Sequence, residues 1–175
     1  QLLQAIAKIS EQPIRFVINT HYHGDHVGGN ETIGGAGAVI IAHDNIRKRM
    51  TSEQVSIFMN STTPPYPKGA LPVLTFNDRF SLHFNGESAT AYYVANGHTD
   101  GDSIIHFPAS NVIHMGDTFF NEMYPFIDTG SGGVRVAVGV GCGSLELHPF
   151  IANIAVVMRI NRTKFRVSFR IIGPP

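Results

Sequence analysis

The segment Thr20–Asn30, THYHGDHVGGN, constrains this chain more than any other feature. His21, His23, Asp25 and His26 fall within six residues, directly after the short apolar run Ile14–Asn19 (IRFVIN). The β-branched residues of that run read as a buried strand. In the extended chain that leaves it, alternate side chains point the same way, so His21 and His23 face one point in space. The Gly24 turn then lets Asp25 and His26 swing back from the first turn of a following element. Three imidazoles and a carboxylate suit zinc, which takes nitrogen and oxygen donors near tetrahedral geometry. Four donors at this spacing do not converge easily on one ion, so two adjacent ions are more natural. The competing reading is a surface histidine cluster or a hydrogen-bonded core histidine, and for any one histidine alone it would win.

Two later segments carry the same kinds of residue. Asn96–Ser103 (NGHTDGDS) places His98 at a strand-to-turn junction, and Val112–Thr118 (VIHMGDT) places Asp117 just past another strand. Loop positions held by a rigid scaffold commonly carry function, although each could be a plain turn residue. Around them the chain reads as layered α/β. Leu2, Leu3, Ile6 and Ile9 recur at helical spacing, and Pro13 ends that pattern. Val39–Ala42 reads as a second buried strand, Asp44 or Asn45 as the cap of a helix running to about Asn60, and the proline-rich Ser61–Pro72 as a loop. Short segments at Val73–Phe76, Phe80–Phe84, Ala89–Val94, Ser103–Phe107 and Val112–Met115, separated by turn residues, predict an antiparallel meander. Two strand–helix units followed by a meander point to a mixed α/β layered fold.

Composition sets the outer limits. At 43% hydrophobic and 15% charged residues, the chain has the make-up of a globular protein. No apolar run approaches the length of a membrane-spanning helix. Cys142 is the only cysteine, so no internal disulfide forms. Thirteen basic and thirteen acidic residues balance, yet residues 1–130 hold seven basic and twelve acidic side chains whereas residues 131–175 hold six and one. The basic segment raises the question of nucleic-acid binding through phosphate contacts. Its scarcity of aromatic stacking partners argues against that partner. The first twelve residues lack the basic start and small-residue cleavage site of a signal peptide. The compartment and the oligomeric state are not legible.

The three motifs THYHGDHVGGN, GHTDGDS and HMGDT, in this order and spacing, resemble the metallo-β-lactamase-fold hydrolase superfamily. The resemblance covers roughly residues 1–130 and implies an αββα sandwich with a zinc site at one edge of its paired sheets. It implies that His21, His23 and His98 hold a first zinc, that Asp25 and His26 hold a second, and that Asp117 bridges the two. A hydroxide between the ions would be the nucleophile, attacking a carbonyl or phosphoryl centre, with Asp25 orienting it and handling a proton. Gly28, Gly29 and Asn30 would let the backbone pass close to the site, or would simply open a helix. Thr20 and Thr99 are candidates to hold the imidazoles. The aromatic stretch Phe119–Asp128 would line a substrate mouth, while His43, His83, His106 and His114 read as structural.

The chain departs from the family pattern in three places. Strands expected before Leu2–Gln12 do not precede it, which suggests truncation at the N-terminus. Asp100 stands where many relatives have proline, a change expected to have little consequence. The last ligand histidine of the family, in a Gly-His-Gly setting, has no counterpart, and His148 sits in a different context. Residues 131–175 therefore read as an atypical basic C-terminal segment, with a frameshift as one explanation, rather than as an independent domain. The expected function is zinc-dependent hydrolysis of a small molecule: an ester, thioester, lactone, phosphodiester or β-lactam. Asp117 in place of a cysteine tilts the reading away from the best-known β-lactamases. The alternative is a catalytically impaired metal-binding fragment.

Overall fold

A computed structural model describes residues 2–56, 59–120, 124–134, 155–160 and 167–172. Helix α1 (Leu2–Ala7) ends well before Pro13. Strand β1 (Phe16–Ile18) leads into the short helices α2 (Gly24–Val27) and α3 (Asn30–Gly35). Strand β2 (Val39–His43) runs directly into α4 (Asp44–Met50). A small hairpin, β3 (Gln54–Ser56) with β4 (Ser61–Thr63), precedes β5 (Leu74–Phe76). Strands β6 (Arg79–Phe84), β7 (Glu87–Tyr93), β8 (Ser103–Phe107) and β9 (Val112–His114) follow, and β10 (Ala155–Ile160) pairs antiparallel with β11 (Val167–Ile172).

Two sheets organise the molecule. The first is parallel, in the order β1-β2-β5, as strand–helix units require. The second is the antiparallel meander β6-β7-β8-β9. Period-two alternation on β2 decides what lies on each side. Ile41 faces the second sheet, in one buried cluster with Phe76, Ala89, Ala91 and Ile105. Ala42 faces the other way, packing with Val27, Ile46, Met50, Ala70 and Leu71. Helices thus cover one sheet and the two sheets face each other. Complete burial of a side chain the size of Ile41 contributes about 1.5–3 kcal/mol, so the inter-sheet cluster is a main source of stability. A third cluster, Val94, Ile104 and Met115 with Ile113 and Phe119, lies against the other side of the meander.

Several expectations need correction. Val73–Phe76 was expected to open the antiparallel meander, but its strand β5 pairs in parallel with β2 as the third strand of the first sheet, and the meander begins at β6. The helix beginning at Asp44 stops at Met50, ten residues short of Asn60, and the chain turns back through β3 and β4. Thr51 caps its end, and the Gln54 side chain donates to the Arg49 carbonyl. The β-branched Val55 and the left-handed Asn60 suit a hairpin better than a helix. The cap is His43, whose Nδ1 accepts from the Asn45 N–H at 3.2 Å, rather than Asp44 or Asn45 themselves. The expected loop from Ser61 to Pro72 contains β4 and a single 3₁₀ turn, Lys68–Ala70. Among the described residues no helix is long and apolar enough to cross a membrane.

Candidate metal centre

The first motif sits where the two sheets meet. Past the end of β1, the Asn19 N–H still bonds the Ile41 carbonyl at 3.0 Å. The Thr20 carbonyl accepts from the Ser103 N–H at 2.8 Å, which ties the same stretch to the second sheet. The chain therefore leaves β1 held between both sheets, and His21 is buried at 1% exposure. His23 stands at the N-cap of α2, and Asp25 and His26 follow on its first turn. Asn19 and Asn30 lock the exit by exchanging side-chain hydrogen bonds at 2.9 and 3.1 Å, and Asn30 also donates to the Ala70 carbonyl. His98 arrives on the loop after β7. That loop is closed by Asp102, which accepts from the Thr99 N–H and hydroxyl. Asp117 arrives on the 3₁₀ turn Gly116–Thr118. Gly116 has φ +53°, and a Cβ there would sit 2.8 Å from the Thr20 side chain, so only glycine lets this turn approach so closely.

Five residues converge from three segments as two donor groups. His21, His23 and His98 form one, and His21, His26 and Asp117 form the other, with the donor atoms of each group within 4.8 Å of one another. Asp117 lies between them. Its Oδ1 is 3.2 Å from His26 Nε2, while its Oδ2 is 4.0 Å from His21 Nε2 and 3.9 Å from His98 Nε2. Asp25 reaches His26 Nε2 at 3.3 Å, but its side chain is 76% exposed and stands outside both groups. His21 is the member common to both.

The outer nitrogens of these rings are anchored, which decides what the inner ones present. Thr20 Oγ1 lies 3.2 Å from His21 Nδ1 and 3.4 Å from His26 Nδ1, and with two lone pairs it can accept from both rings. His98 Nδ1 donates to the Phe126 carbonyl at 2.6 Å. His23 Nε2 donates to Asp128 Oδ2 at 2.9 Å. Each ring then turns a bare nitrogen inwards, the state in which imidazole binds a metal. Among the described residues His21 Nε2 is buried and has no hydrogen-bond partner. A buried polar atom without a partner is costly. Here it sits at the junction of two donor groups of nitrogen and oxygen, and the donor chemistry fits a zinc ion. Burial, reinforced by the neighbouring His26, His23, His98 and His114, lowers His21 from 6.5 to about 2, so it stays neutral. Burial pushes the Asp128 carboxyl up, but hydrogen bonds from Ser131 and His23 outweigh it and hold the group below its ordinary value.

Several residues here have roles that the sequence did not assign them, Asp128 having been expected only as the end of a stretch lining a substrate mouth. Asp128, Ser131 and Tyr22 form one hydrogen-bonded set behind His23. The signal for Asp128 was a carboxylate between an aromatic run and a glycine run (FIDTGSGG), too common a pattern to stand alone. Asp100 was expected to matter little. Instead it accepts two hydrogen bonds from Arg49, both at 2.7 Å, and braces the loop beside His98. Thr20 holds two imidazoles as expected, whereas Thr99 bonds Asp102 and no histidine. Gly28 and Gly29 form the turn that opens α3. His43 is a helix cap that donates to the Asn77 carbonyl and stacks on Tyr93. His148 lies outside the described residues, as do the side chains of most of residues 131–175.

Two facing sheets with a histidine-rich candidate metal site at their edge are the arrangement of a known family, and comparison with known proteins names it. The chain belongs to the metallo-beta-lactamase superfamily, whose sequence pattern matches residues 2–169 and so runs past residue 130. A hydroxyacylglutathione hydrolase from Maricaulis maris is 30% identical over 105 residues, which is 58% of this chain and 32% of that protein. The match thus spans about a third of that relative's length. Among solved structures, a metallo-beta-lactamase from Pontibacter korlensis superposes with a TM-score of 0.55 at 18% identity, covering 70% of this chain and 51% of its own. A metallo-beta-lactamase family protein from Thermus thermophilus gives 0.54 at 19% identity, covering 72% and 48%. These two share the fold.

Proposed function

We propose that the chain is a zinc-dependent hydrolase with a two-metal centre. His21, His23 and His98 would hold one ion, and His26 and Asp25 the second, with Asp117 between them. The observation that carries this reading is the buried, unpartnered His21 Nε2 shared by both donor groups. When bound, zinc supplies Lewis acidity and brings the pKa of bound water to about 7. The remaining work belongs to the chain. The anchored rings hold their inner nitrogens in place without reorganisation. Asp25, exposed and 3.3 Å from His26, can take a proton at Oδ2 from the attacking water and return it to the leaving group. Exposed Tyr124 and half-exposed Phe126, beside His98, offer an apolar lip for a substrate.

The substrate is a small molecule with a carbonyl or phosphoryl centre. The name of the Maricaulis maris relative favours an acyl compound over a phosphodiester or a β-lactam. A second reading follows from the second donor group. Among the described residues it has only His26 and Asp117 besides the shared His21, so a weakly held second ion and impaired catalysis would result. Metal analysis of the purified protein, with a hydrolysis screen over a thioester, a lactone, a β-lactam and a phosphodiester, separates the two. About two zinc ions per chain and turnover of one substrate class support the enzyme. One ion without turnover supports the impaired form, and no bound zinc overturns both.

A further inference from the structure

The segment Phe126–Val134 straps across the His98 loop, and backbone bonds fasten it there. The Asp128 N–H donates to the His98 carbonyl at 2.9 Å, the Asp100 N–H to the Ser131 carbonyl at 2.9 Å, and the Val134 N–H to the Asn96 carbonyl at 3.1 Å. A Cβ at Gly133 would lie 2.2 Å from the His98 carbonyl oxygen, so the strap lies directly on the backbone of that histidine. From this strap the Asp128 side chain reaches back to His23, on the far side of the donor group.

The three rings of the first group are not oriented alike. His21 and His98 anchor Nδ1 outside and turn Nε2 inwards. His23 does the reverse. Its Nε2–H faces Asp128, because a carboxylate only accepts, and its Nδ1 lies 2.9 Å from His98 Nε2 inside the group. Rotation about the Cβ–Cγ bond of a histidine is soft and roughly two-fold, so nothing in the ring itself selects this orientation.

We propose that Asp128 is a positioning residue that holds His23 with Nδ1 toward the metal, and that the strap sets the spacing of His23 and His98 through this one residue. Asp128 is itself braced. Ser131 Oγ donates to the same Oδ2, Tyr22 donates to it at 3.4 Å, and the Arg49 guanidinium lies over the Tyr22 ring at 5.4 Å. Asp128 bonds His23 with its side chain and His98 with its backbone, so displacement of this residue disturbs two donors at once. The bland alternative is that Asp128 only fastens the strap through Ser131. This inference rests on the metal-centre reading above.

The test compares Asp128→Ala, the near-isosteric Asp128→Asn and Ser131→Ala by chelator competition for cobalt, by the visible spectrum of the bound cobalt, and by ¹⁵N imidazole resonances of the metal-free protein. Loss of a carboxylate behind a ligand histidine lowers metal affinity by about 10- to 100-fold, and that loss with an altered cobalt spectrum is expected for Asp128→Ala. Asp128→Asn still offers an acceptor oxygen and should lose less. Ser131→Ala keeps the carboxylate and removes only its brace, so its affinity should fall by less than that of Asp128→Ala. The metal-free protein should carry its His23 proton on Nε2, and Asp128→Ala should lose that preference. Unchanged affinity and spectrum in Asp128→Ala, or a wild-type His23 protonated on Nδ1, overturns the proposal. If Asp128→Ala does not fold, Asp128→Asn decides. If wild-type protein takes no cobalt, the metal-centre reading fails, and the imidazole resonances still decide whether Asp128 orients the ring.

Discussion

At the scale of single residues, the donor groups converge on His21. It belongs to both, and its inner nitrogen has no other partner among the described residues. His21→Ala is therefore expected to empty both positions, with bound zinc falling well below one per chain by elemental analysis; retention of a full complement would contradict the shared role. Asp25 is expected to act at the proton rather than in substrate binding, so Asp25→Asn should lower kcat by about 100- to 10,000-fold on whichever substrate the screen identifies. His43 belongs to stability instead. Burial holds it below 6.5, so the folded chain keeps it neutral while the unfolded chain protonates it as pH falls through about 6.5. Its contribution is full above that pH and is lost below it. His43→Asn keeps a capping side chain but does not titrate. The difference in urea midpoint between wild type and this variant should be widest near pH 8 and narrow by pH 5.5, and a constant gap would refute the assignment.

Among the elements, local signals served well where one signal dominated. The run Ile14–Asn19, the strand at Val39 and every strand of the meander lie close to where alternation and turn residues put them. The stretch after Met50 was misread because apolar residues at Val55 and Ile57 suit a helix face and a hairpin equally. What decides it is the pairing of β3 with β4, which local periodicity does not encode. The strap over residues 126–134 carries no periodic pattern and works through backbone bonds, so its role stayed hidden. Gly133 tests it. Added bulk meets the His98 and Asp128 carbonyls, so Gly133→Ala should cost about 1–3 kcal/mol in urea unfolding and weaken zinc binding as well. Full affinity in that variant would show that the strap does not govern the site.

Across the whole molecule, the two sheets and their shared core bring together segments that lie far apart in sequence. Metal binding should therefore stabilise the fold. Zinc at 100 times its dissociation constant adds about 2.7 kcal/mol, which for a chain of this size raises Tm by about 5–11 °C. Calorimetry with and without zinc checks this, and an unchanged Tm at saturation would mean that the ion does not prefer the folded state. The zero net charge is the sum of an acidic segment that holds every donor described here and a basic one after residue 130. His21, His23 and His26, which the two donor groups bring together, were legible in the bare chain because six adjacent residues obey local geometry: a strand's alternation, then a glycine turn. Folding decided what local geometry cannot reach. Packing of the two sheets brings His98 and Asp117 to the first motif, leaves Asp25 in solvent at the rim, and lets a loop more than a hundred residues downstream set Asp128 behind His23.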